Sequence, residues 1–161
     1  MFGQRLFHVR KGVRMNLLRI LPLACLLAAG AAQAQSAGEC PQLPGDANLT
    51  WSAMTGDDFV FCKALREDGG EVFAVMISKD SPFDPRRADR AEKAVIDGHE
   101  MRWYRGEIAS APNAEVREAL IKLDDGRVAH ISLHADSEPE LAEALDQAQS
   151  LRFRGPQLSS N

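Results

Sequence analysis

Glycine and proline are scarce in this chain, 12 and 8 of 161 residues, and no repeat runs through them. That excludes collagen-like and low-complexity architectures. Aromatic residues make up only 6%, with a single tyrosine. Three cysteines occur, none in a Cys-x-x-Cys pair, which excludes a thioredoxin-type redox motif. No Gly-x-Ser-x-Gly turn is present, so the hydrolase nucleophile elbow is missing. Strand-like and helix-like segments do not alternate, which argues against a parallel nucleotide-binding sheet. No motif specifies a reaction. The length suits one domain.

Acids are absent from the first 34 residues, where Arg5, Arg10, Lys11, Arg14 and Arg19 carry positive charge. Leu17 to Ala29 is mostly apolar, and Ala32-Gln33-Ala34 supplies small residues for a cut. A basic start, a short apolar stretch and an A-x-A site read as a cleaved signal peptide over residues 1–34. Met15 serves as an alternative start, since Met15 to Ala34 is a complete signal by itself. The apolar run falls short of the ~20 residues that span a bilayer. Cys25 is a poor lipid-attachment site, because Pro22 stands where a leucine is expected. The expectation is periplasmic or secreted localisation without a stable membrane anchor.

That segment holds 5 of the 19 Lys and Arg and none of the 23 Asp and Glu, so the remaining chain has a balance of −9. Such a domain repels phosphate backbones, and nucleic acid is not an expected partner. Cys40 and Cys62 remain after processing, an even count that reads as one disulfide in an oxidising compartment.

Residues 35–48 read as a leader pinned by that disulfide, 49–153 as the single α+β domain, and 154–161 as a disordered tail. Leu49 to Ala53 is a short strand or turn. Phe59–Arg66 and Glu71–Ser78 form a hairpin around a four-residue turn, with Arg66 opposite Glu71. Val60, Cys62, Ala64, Phe73, Val75 and Ile77 share one face; the other face is also largely apolar, so both faces are expected to be covered. Asp84-Pro85 resembles a helix start and predicts a short helix in the central connection. Asp97-Gly98 predicts a second hairpin, which limits that helix. Glu115–Leu123 and Arg127–Ala135 pair around Asp124-Asp125-Gly126, with Gly126 left-handed and Glu118 opposite Ser132. Ser137 and Glu140 make a capping box, and Leu141, Ala144, Leu145, Ala148 and Leu151 repeat at helical spacing. The fold class is α+β: an antiparallel sheet of about five to seven strands with a C-terminal amphipathic helix packed on it.

The strand order, the late hairpin and a closing helix ending in Leu151-Arg152-Phe153 are similar to the PsbP-like α/β/α sandwich, including the exported DcrB-like proteins. The resemblance covers most of residues 49–153. It implies a non-catalytic, protein-binding role, and it transfers no functional residue.

Two clusters are candidate sites. His130, Ser132 and His134 share a polar strand face, and Ser132 with His130 or His134 is an alternative hydrolase pair. Histidines four apart on a strand stand ~13 Å apart and cannot share a zinc ion. Asp97 and His99 at a hairpin tip read as turn residues. Arg86, Arg87, Arg90, Arg102 and Arg105 surround Phe83 and the adjacent Trp103 and Tyr104, on an otherwise acidic chain. Adjacent strand residues point to opposite faces, so one aromatic is core and the other is free for a partner. Phe83, Arg86, Arg87, Arg90 and Tyr104 are therefore the expected partner-binding surface, with no catalytic residue, metal or cofactor. A lipid or small-ligand carrier with its cavity between sheet and helix is the remaining alternative.

Overall fold

A computed structural model of the protein describes residues 39–153. The signal-like segment and the C-terminal tail lie outside the described residues. Seven strands, β1 (Thr50–Thr55), β2 (Phe59–Leu65), β3 (Glu71–Ser78), β4 (Arg90–Ile96), β5 (His99–Gly106), β6 (Glu115–Lys122) and β7 (Val128–Ala135), precede one helix, α1 (Glu138–Gln149). They form one sheet in the order β1-β2-β3-β7-β6-β5-β4, and every adjacent pair is antiparallel.

The helix packs against one face, touching β3, β7 and β4. Alternation along each strand aims Cys62, Ala64, Phe73, Val75, Trp103, Ala119, Ile121, Ala129, Ile131 and Leu133 at it, all buried. Leu141, Ala144, Leu145 and Ala148 return the contact from α1, and Leu151 follows. Ser137 caps the helix as its sequence predicts: its Oγ accepts a hydrogen bond from the Glu140 amide at 3.4 Å. The β6–β7 loop also matches, with Gly126 at φ +85° and Glu118 opposite Ser132.

Cys40 is disulfide-bonded to Cys62 on β2. The strap around it is fixed further by the Trp51 indole N–H, which donates to the Pro41 carbonyl at 2.7 Å. Gln42 and Arg152 exchange backbone hydrogen bonds, which tie the strap to the end of α1. The same end is clamped to the β4–β5 turn, where the Asp97 carboxylate accepts from the Phe153 amide at 2.9 Å. Asp97 and Gly98 both have positive φ, the conformation a two-residue hairpin turn demands.

Three expectations need correction. The β2–β3 tip is tighter than a four-residue turn. Arg66 faces Gly70 through a backbone hydrogen bond, Leu65 faces Glu71, and a bulge at Ala64/Leu65 absorbs the difference. Gly69 takes the left-handed position at φ +83°, which closes the loop one residue earlier. The second face of β2 and β3 is only partly covered, since Ala74 is buried but Phe59 is exposed.

The third correction is the short central helix, which is replaced by a single 3-10 turn at Arg87–Asp89. Distance excludes a connection that is helical throughout. β3 and β4 are separated by four strand spacings, about 19 Å. Arg90 is level with Ala74 through Tyr104, Glu118 and Ser132, so Ser78 lies about 13 Å further along. The diagonal is therefore about 23 Å, while about twelve residues of helix rise only about 18 Å. An extended chain of that length reaches about 40 Å.

Sequence parity places Arg117 on the helix-side face with Ala119 and Ile121, and it is 6% exposed there. Its guanidinium binds Glu92 through both carboxylate oxygens, at 3.0 and 3.3 Å from Nε, and Glu115 at 3.1 Å. A bulge in β4 makes this reach available, because Ala91 and Glu92 together oppose the single residue Trp103. Burial opposes the charge on both partners. The hydrogen bonds between them outweigh it, so Glu92 sits below and Arg117 above its ordinary pKa.

Reducing the disulfide is expected to lower stability by about 3 kcal/mol through the freed loop of the unfolded chain, read as a shifted urea midpoint. An unchanged midpoint contradicts this. Glu92→Gln should cost about 1.5 kcal/mol, since it weakens a charge-assisted contact of a buried cation, discounted for the half-exposed carboxylate. Arg117→Met, which removes the buried charge itself, is expected to cost less in the same assay.

Candidate functional site

The face opposite α1 carries the segment from Lys79 to Asp89, which crosses it diagonally. Phe83, near its middle, lies flat on His130 of β7, with ring centroids 5.0 Å apart and planes 1° apart. It also meets Tyr104 of β5 edge-on at 6.0 Å. The structure thus brings together Phe83 and Tyr104, two of the expected contact residues, and adds His130 to them. Trp103 and Tyr104 divide as adjacent strand residues must: Trp103 is fully buried in the core and Tyr104 is half-buried on the open face.

The crossover changes the chemistry of His130. Its Nε2 lies 3.3 Å from Glu118 Oε1, within ion-pair distance but without the alignment of a hydrogen bond. Burial under Phe83 lowers the imidazole pKa, and the Glu118 carboxylate, which pulls the other way, does not compensate. His130 is thus not part of a solvated strand face. His134 is exposed and Ser132 half-buried on the same face. Among the described residues no hydrogen bond joins Ser132 to either histidine. No group of three His, Cys, Asp or Glu side chains is placed to hold a metal ion among those residues.

The arginines divide into two groups. Arg86 pairs with Asp89 at 2.7 Å. Arg102 and Arg105 donate to the backbone carbonyls of Ala91 and Arg90, at 2.9 and 3.0 Å. Arg87 and Arg90 are exposed and make no ion pair among the described residues. Arg90 stands opposite Tyr104 across the β4–β5 ladder. The outcome is a cationic ridge beside the Phe83–Tyr104 aromatic pair.

Next to the ridge is a cleft of about 630 Å³, walled by Pro85 of the crossover and by Tyr104, Leu120 and Val95. Lys93 and Arg102 face each other across β4 and β5 at its rim. Sequence inspection did not single out this pair. The signal was present, because a two-residue turn at Asp97-Gly98 pairs Ile96 with His99 and, counting back, Lys93 with Arg102. The interface between sheet and helix, where the carrier alternative places its cavity, is filled by buried side chains.

No protein-family model matches the chain, and neither does any curated protein or solved structure.

A lowered histidine pKa means that the unfolded chain takes up a proton first. The contribution of His130 to stability is therefore complete above the unfolded value, about 6.5, and fades as pH falls through it. Thermal melts should lose stability as pH falls below about 6.5 in the wild type, with a smaller loss in His130→Gln. Parallel curves would place the titration elsewhere. Loss of the carboxylate contributions from Glu92 and Glu140, whose pKa values are lowered, falls in a separate window below about pH 4.5.

Proposed function

We propose that the chain is a non-catalytic protein-binding module of the cell envelope, acting as an accessory, inhibitor or immunity-type factor. In this reading it is exported by the segment 1–34 and oxidised at Cys40 and Cys62. The partner surface is the ridge formed by Phe83, Arg86, Arg87, Arg90 and Tyr104, and the partner presents an acidic surface.

One observation carries the reading. Arg87 and Arg90 project from a chain of acidic balance and have no carboxylate partner among the described residues, beside half-buried aromatic rings. Arginine and tyrosine are enriched at the centres of interfaces. Charge complementarity of this kind steers association and selects partners. The disulfide fits an oxidising compartment. No helix among the described residues is long and apolar enough to cross a membrane. The sequence resemblance to PsbP-like domains implies the same direction, although among the described residues only one face of this sheet carries a helix.

The test compares immobilised wild type with an Arg87→Glu/Arg90→Glu variant in a periplasmic extract. These arginines are exposed and unpaired, so the melting temperature should not change. The wild type is expected to retain a protein that the variant recovers about tenfold less, and that salt near 1 M elutes. Equal recovery by both would remove the ridge as the binding surface.

A further inference from the structure

The cleft beside the ridge has a chemistry of its own. Lys93 and Arg102 stand directly opposite each other on neighbouring strands. Like charges in that arrangement are destabilising unless something lies between them. Neither forms an ion pair among the described residues. Arg102 is held by its hydrogen bond to the Ala91 carbonyl, the bulged residue of β4, so its guanidinium is positioned rather than free. Glu92, the neighbour of Lys93 on β4, points to the other face and binds Arg117, so it does not compensate this pair.

Beside the two cations the cleft has a mixed lining, with its apolar part supplied by a few side chains. Leu120 lines its floor, Tyr104 and Pro85 form the side under the crossover, and Val95, 57% exposed, forms the outer side. Its volume of about 630 Å³ is in the range of small-molecule sites. Glu100 also lines it, which leaves a surplus of one positive charge over Lys93 and Arg102 together. One surplus charge matches a single negative charge on the ligand. A phosphate dianion would be left with charge uncompensated.

We propose that this cleft binds a small carboxylate with an apolar body, the carboxylate lying between Lys93 and Arg102 and the body against Leu120, Tyr104 and Pro85. The guanidinium plane suits a carboxylate, and the ammonium supplies a second point charge. The proposal does not depend on the protein-binding reading, since Lys93 lies off the Arg87–Arg90 ridge.

Decanoate is the probe, titrated into the oxidised protein by calorimetry. Decanol supplies the same tail without charge, and decyl phosphate supplies a dianionic head. Lys93→Glu alters an exposed side chain without an ion pair and should leave the fold intact, as a melting curve verifies. Lys63→Glu makes the same charge change elsewhere on the open face. Saturable one-site binding of decanoate below about 1 mM is expected, with decanol and Lys93→Glu each weaker by about tenfold or more and Lys63→Glu close to wild type. No saturable binding up to that concentration overturns the proposal. So do equal affinities for decanoate and decanol, undiminished binding in Lys93→Glu, or an equal loss in Lys63→Glu. Decyl phosphate binding about tenfold tighter than decanoate would overturn the choice of a monoanion.

Discussion

The connection from β3 to β4 governs the organisation of this domain. The two strands run in the same direction with β7, β6 and β5 between them, so the chain must cross the sheet to join them. About twelve residues in an extended conformation span that distance with length to spare, whereas the same residues wound wholly into a helix fall short. An extended crossover cannot cover a sheet face as a helix does. It lays down one large side chain, Phe83, on His130 and Tyr104 and leaves flanking surface open. The amphipathic helix is consequently on the other face, where it completes the core. One face is thus devoted to packing and the other to display, and the division follows from strand order.

Local pattern made much of this legible in the sequence. Alternation sorted the core-facing residues of β6 and β7 and grouped those of β2 and β3 on one face, though it left the second face of β2 and β3 expected to be covered; turn chemistry at Asp97-Gly98 and Asp124-Asp125-Gly126 set two hairpin registers correctly. Cysteine counting identified the disulfide. The misreadings have a common origin in long-range geometry. Asp84-Pro85 has a helix-start pattern, but the chain there is extended up to a single 3-10 turn at Arg87–Asp89, and the span to β4 leaves no room for a crossover that is helical throughout. His130 has the parity of a solvated face, but it is covered by a residue nearly fifty positions earlier. No local pattern encodes either fact, because both depend on where β4 lies in the sheet.

Of the residues expected to meet a partner, Phe83 and Tyr104 do meet each other. Arg86 is already engaged by Asp89, whereas Arg87 and Arg90 are not. Arg117 shows the opposite limitation. Its parity pointed inward, yet a charged residue on a core face is legible only when its counter-ion is known, and Glu92 comes from a strand two places away. A bulge joins them, and bulges leave little trace in sequence.

The bulge also limits the hazard of an exposed edge strand. β4 has one neighbour, β5, and the far side of its backbone has no strand beside it among the described residues. Exposed edges invite pairing with other chains, and charged residues and bulges discourage it. β4 has both, with Arg90 and Lys93 on either side of the Ala91–Glu92 bulge. Such a strand would be loosely held by its single ladder. Three contacts from the helix-side half prevent this: Glu92 to buried Arg117, Ile96 in the core, and Asp97 to the Phe153 amide. They anchor the middle and end of β4 on the side away from the crossover. The cations on the opposite side are thereby fixed in position relative to Tyr104 and Leu120. A rigid edge that resists strand addition but presents arginine and lysine suits recognition through side chains rather than through backbone pairing.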